Sequence, residues 1–186
     1  MTDCDDAFGR HDDAALAIGH LEGRKVIFDL ARLWRAPFNP YVVIGQQADV
    51  LKSFNLHRVT ADNFAAEFVT QAFKGEGIIC TKSDVPKSGL YKELLPRLCS
   101  AEVELLDDPQ LVDQISALER RTRSGNDCLV DHPPGGKDDL ANVVAGVCAS
   151  CKRRRKIGLL FSSFQDTGDG GDGIPARRRA FVSALG

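Results

Sequence analysis

Residues 14–30 restrict the fold more than any other stretch of the chain. Ala14 to His20 alternates, with Leu16 and Ile18 on one face; Glu22-Gly23 makes a turn; Lys25-Val-Ile-Phe-Asp-Leu30 supplies a second apolar run. The pair reads as a β-hairpin. A connector from Trp34 to Pro40 follows, and Asn39 before Pro40 is an N-cap with proline at the first helical position. Ile44, Ala48 and Leu51 then fall at i, i+4 and i+7, which predicts a helix ending near Asn55.

Beyond that helix, strand and helix signals alternate. His57–Asp62 is a short strand candidate, and Phe64, Phe68 and Ala72 fall four apart, so Asp62 stands at a strand-to-helix junction. Gly77–Cys80 reads as a strand. Leu90, Tyr91, Leu94, Leu95 and Leu98 have helical spacing, with Pro96 expected to bend or shorten the helix. Asp108-Pro109 repeats the cap-plus-proline signal ahead of Leu111, Ile115 and Leu118. A glycine-containing loop near Ser124-Gly125 leads into Cys128–Val130, and Leu140, Val143, Val144, Val147 and Cys148 mark a last helix starting around Asp138. Strands interleaved with helices predict an α/β or α+β domain with one mixed sheet.

The 186 residues, 43% of them apolar, suffice for one core of ordinary size. With 24 Lys and Arg against 26 Asp and Glu, the net charge of −2 gives no global basic field, so any polyanion binding must be local. No apolar run approaches the roughly 20 residues needed to cross a bilayer. The start, Met1-Thr-Asp-Cys-Asp-Asp, is too acidic for a signal peptide, so a soluble intracellular protein is expected. Six scattered cysteines are expected as free thiols, and Cys148-Ala-Ser-Cys151 without a second ligand pair is a poor zinc site. Lys152-Arg-Arg-Arg-Lys156, a Gly/Asp-rich stretch and Arg177-Arg-Arg179 have the composition of a flexible tail, which divides the chain into a domain over 1–151 and a tail over 152–186.

Acidic residues gather at element ends: Asp3, Asp5, Asp6, Asp12 and Asp13 ahead of the first clear strand, Asp62 at a strand end, and Asp138-Asp139 at a helix start. Hard divalent cations take oxygen ligands, and carboxylates converging from distant segments could hold one or two of them for phosphodiester cleavage. Capping explains the same residues more plainly, since Asp before a helix is an ordinary N-cap.

Gly9-Arg-His-Asp-Asp-Ala-Ala-Leu-Ala-Ile-Gly-His20, Arg35-Ala-Pro-Phe-Asn-Pro40, Ala61-Asp-Asn-Phe64, Lys87-Ser-Gly-Leu-Tyr91 and Asp131-His-Pro-Pro-Gly-Gly-Lys-Asp-Asp-Leu-Ala-Asn142 follow one another in this order. In this succession, over about residues 5 to 150, the chain resembles the C-terminal nuclease domain of phage large terminase subunits. The resemblance implies an α/β ribonuclease H-like fold, a mixed central sheet flanked by helices, and Mg²⁺- or Mn²⁺-dependent cleavage of double-stranded DNA during genome packaging in the cytoplasm of a bacterial host. By position it carries the catalytic acids to Asp5, Asp62 and Asp139, with Asp138 as a further candidate metal ligand and Asp13 as a supporting acid. Glu67 becomes a candidate partner of Asp62, His132 a residue that could position phosphate or water, and Tyr91 a core residue. Lys87 and the block Lys152, Arg153, Arg154, Arg155 and Lys156 become candidate DNA contacts.

Two departures qualify this. Family members have an apolar run before the first aspartate, whereas only Met1-Thr-Asp-Cys precedes Asp5, so a truncated first strand and impaired activity are expected. The sequence also has no GxxxxGK[ST] motif, so a packaging motor would come from a separate terminase ATPase, alongside a small terminase subunit or portal. The alternative is a non-catalytic terminase fragment acting only as a DNA- or portal-binding module. A resolvase or transposase of the same fold class would keep the acids but not the His-Pro-Pro-Gly-Gly segment.

Overall fold

The computed structural model describes residues 13–62, 67–122, 128–151 and 178–183. β1 (Ala14–Glu22) and β2 (Lys25–Trp34) form the expected antiparallel hairpin, turning through Gly23, whose φ of 57° suits a residue without a Cβ. Alternation sends Ala14, Leu16 and Ile18 to one face of β1 and Ala15 and Ala17 to the other, and all five are fully buried. Burial on both faces requires a strand in the interior of a sheet covered on both sides.

α1 (Pro40–Ser53) starts as its sequence signal implies: the Asn39 side chain accepts from the Tyr41 N–H at 3.0 Å, with Pro40 in the first turn. β3 (Arg58–Ala61), α2 (Glu67–Gly75) and β4 (Ile79–Lys82) follow, β3 and β4 running parallel. α3 (Lys87–Cys99) continues three residues past Pro96, which near a helix end removes a single N–H from the ladder. β5 (Val103–Glu104) precedes α4 (Pro109–Ser116), where Asp108 accepts from the N–H groups of Gln110 and Leu111. β6 (Glu119–Thr122) and β7 (Cys128–Asp131) pair as a separate antiparallel ribbon; α5 (Asp139–Ser150) and β8 (Arg179–Val182) complete the elements.

The main sheet has the order β4-β3-β8-β1-β2-β5, with β8 antiparallel to β1 and parallel to β3. This corrects the expected tail at its far end: Ala180, Phe181 and Val182 are buried in the middle of the sheet. Without β8, β1 and β3 would present unpaired edges to each other. The short first strand expected around Asp5 falls outside the described residues.

α1 and α2 cover one face of the sheet, and α3, α4 and α5 cover the other. α5 is buried from Leu140 to Ala149, more completely than its apolar stripe implied, because it lies directly on β1 and β8. Small residues permit the approach: a Cβ on Gly146 would lie 2.3 Å from the Phe181 ring. Cys148 and Cys151 belong to this core as free thiols, and burial pushes Cys148 up to about 12, the behaviour of an apolar packing residue. The other described cysteines, Cys80, Cys99 and Cys128, are free as well. Among the described residues no helix is long and apolar enough to cross a membrane.

Candidate metal centre

Strand directions bring the acids together. Because β8 runs against β1 and along β3, the start of β1 and the ends of β3 and β8 share one edge of the sheet. The Asp62 N–H donates to the Val182 carbonyl at 3.2 Å, the Ser183 N–H to the Ala15 carbonyl at 3.1 Å, and the Ala15 N–H to Ser183 Oγ at 2.9 Å. Asp13 and Asp62 therefore stand on either side of the end of β8, both buried. The first turn of α5 meets them there: Asn142 Nδ2 donates to Asp62 Oδ2 at 3.2 Å, while Asn142 Oδ1 is buried with no hydrogen-bond partner among the described residues.

Capping does not account for the Asp138-Asp139 pair. Asp138 occupies the cap position, but its side chain makes no cap hydrogen bond. The free N–H groups of Leu140 and Ala141 donate instead to Oε1 of the buried Gln114 on α4, at 2.8 and 3.2 Å. Asp138 turns toward α3, where Lys87 Nζ lies 2.9 Å from its Oδ1 and 2.7 Å from its Oδ2, and the Tyr91 hydroxyl donates to Oδ2 at 2.6 Å. Tyr91 is the core residue expected, with its hydroxyl raised by burial and by Asp138.

Asp139 is left differently. Among the described residues its carboxylate has no ion pair and no hydrogen bond to another residue's side chain, and burial followed by the nearby charges of Asp138 and Asp13 pushes it up to about 6. On Asp13, burial also acts upward, but Lys137, the Ala36 N–H and Arg35 outweigh it and hold the carboxyl below its ordinary value. Lys137 Nζ is 2.8 Å from Asp13 Oδ2. An oxygen-rich edge with one half-buried carboxylate, on which burial, Asp138 and Asp13 outweigh the relief from its own backbone N–H and Lys137, and with an unpartnered amide oxygen, fits a hard divalent cation.

Other candidates are placed variously. Lys87 directs its ammonium into the protein, toward Asp138 and Asp131. His132 lies within 4 Å of Asp131 and Asp138. Glu67 is exposed at the first residue of α2. Asp5 and the basic block from Lys152 to Lys156 lie outside the described residues. Sequence reasoning missed Asn142, Gln114 and Asp131. An asparagine inside an otherwise apolar helical run was a usable signal for Asn142, whereas nothing local marks Gln114 as the cap of another helix.

No protein-family model matches the sequence, and no curated protein matches it. The fold is similar to solved structures of the large terminase nuclease from thermophilic phage G20c. One crystal structure aligns with a TM-score of 0.61 at 13% identity, covering 73% of this chain and 74% of that one. The form with bound magnesium aligns at 0.62 and 13% identity over 77% of each chain. The form with bound cobalt aligns at 0.58 and 13%, over 76% and 84%. At this identity the likeness establishes the fold, the mixed α/β ribonuclease H-like arrangement expected from the sequence.

Proposed function

We propose that this chain is a divalent-metal-dependent endonuclease domain that cuts double-stranded DNA. The observation that supports this best is that Asp13 and Asp62 flank the end of β8 while Asp139, in the turn of α5 whose Asn142 donates to Asp62, is raised by the nearby charge of Asp13. Asp13, Asp62 and Asp139 would hold Mg²⁺ or Mn²⁺, with Asp5 a further ligand carried over from the resemblance. Bound there, the cation supplies activation of a water and charge stabilisation at the leaving oxygen. The structure of the G20c nuclease with bound magnesium supports the choice of metal by analogy of fold.

The chain's own residues have distinct tasks in this reading. Asn142 orients the Asp62 carboxylate through Nδ2. Gln114 satisfies the N–H groups of Leu140 and Ala141, so Asp138 is not drawn away to cap them. The N-terminal end of α5 favours a phosphate by its dipole. Lys137, half exposed beside Asp13, is placed to meet a DNA phosphate, and Lys152 to Lys156 would grip the backbone without reading sequence. Packaging would need a separate ATPase, with a small terminase subunit or portal as partners.

Supercoiled plasmid with Mn²⁺ tests the reading. Conversion to nicked and linear forms that stops with EDTA is expected; no conversion by a folded protein would leave only a non-catalytic binding module.

A further inference from the structure

A second group of ligand-type side chains converges behind the acids just described. The ligand atoms of Asp131, His132 and Asp138 all lie within 4.8 Å of one another. His132 Nδ1 is 2.8 Å from the Pro133 carbonyl, which can only accept, so Nδ1 carries a hydrogen and Nε2 faces the two acids. That nitrogen stands 3.8 Å from Asp131 Oδ1 and 3.9 Å from Asp138 Oδ1. Two carboxylates this close repel one another unless a cation lies among them.

The cation there belongs to the chain itself. Lys87 Nζ contacts both oxygens of Asp138 and lies 3.5 Å from Asp131 Oδ1. Its backbone is fixed nearby, because the Val130 N–H on β7 donates to Ser88 Oγ at 2.9 Å and so ties the start of α3 to the strand carrying Asp131. The Tyr91 hydroxyl occupies a further lone pair of Asp138.

We propose that the Lys87 ammonium occupies the place of a second divalent cation, so that among the described residues the exchangeable metal position is the one proposed at Asp13, Asp62 and Asp139. Lys87 is then a positioning residue: a compact fixed charge holds Asp131 and Asp138 in a cation-binding arrangement without an ion. The inference rests on the proposed nuclease reading only for the position that remains exchangeable.

The test counts bound Mn²⁺ by electron paramagnetic resonance on the full chain, in wild type, Lys87→Met and Lys87→Met/His132→Ala. Lys87→Met is expected to bind one Mn²⁺ more per chain than wild type and to show imidazole nitrogen coupling in the spin echo, and the double variant to lose both. Equal binding by wild type and folded Lys87→Met overturns the proposal, as does imidazole coupling to Mn²⁺ in wild type. Lys87→Gln, which keeps a polar end beside Asp138, serves in the same way should Lys87→Met not fold. Wild type binding no Mn²⁺ while Lys87→Met binds one supports the role of Lys87 and overturns instead the assignment of Asp13, Asp62 and Asp139.

Discussion

Gln114 on α4 places its side-chain oxygen 2.8 Å from the Leu140 N–H at the start of α5, and this cap from another helix leaves Asp138 free to face α3. A helix start lacking its own cap would draw Asp138 or Asp139 into that role. Gln114→Ala leaves two N–H groups without their acceptor. A loss of about 1–3 kcal/mol in urea unfolding is expected, together with weaker Mn²⁺ binding as an aspartate is recruited to the cap. An unchanged unfolding midpoint and unchanged binding would remove Gln114 from the site's architecture.

Asp139 should make the metal-free protein sensitive to pH. Its carboxyl is raised from 3.8 to about 6, so the folded state binds its proton more tightly than the unfolded state does. That stabilisation is fully present below about 4 and is lost as pH rises through about 6. In EDTA the melting temperature of wild type should fall from pH 5 to pH 8. Asp139→Asn should be more stable than wild type at pH 8, by about 1–3 kcal/mol allowing for partial solvent screening, and the advantage should shrink at pH 5. Identical melting at pH 8 would contradict the charge crowding.

How far the sequence reveals these features depends on how local each one is. The hairpin, the Asn39 and Asp108 caps and the helix stripes are short-range signals, and the structure contains all of them. The pairing of β8 with β1 joins Leu16 to Val182 across most of the chain, and no periodicity within four residues announces it. Composition around residues 179–182 suggested a tail because the neighbouring arginines and glycines outweigh Ala-Phe-Val in any local window. The places of Asp62 at a strand end and of Asp139 at a helix start were legible in the sequence, and their proposed role as metal ligands comes from the family resemblance. The partners of Asp138 were not, because whether an aspartate caps its own helix or faces a lysine on another is decided by packing.

β8 carries its own expectation. Phe181 is almost fully buried beneath α5, so Phe181→Ala should cost about 3–5 kcal/mol. The check is the urea midpoint of the full chain; a tail residue would leave it unmoved.

Asp13 and Lys137 give a further handle on the metal. Asp13→Asn removes a carboxylate that faces Asp139, and Mn²⁺ affinity measured by calorimetry should fall about 10–100-fold. Full affinity in Asp13→Asn would move the ligand set away from the start of β1.

The most direct measurement is Mn²⁺-dependent nicking of supercoiled plasmid by wild type and by Asp139→Asn at equal concentration and verified fold. A metal ligand contributes several kcal/mol to the transition state, so the variant should be slower by about 100-fold or more. Cleavage by Asp139→Asn at the wild-type rate would contradict the assignment of the sheet edge as a metal-dependent nuclease centre.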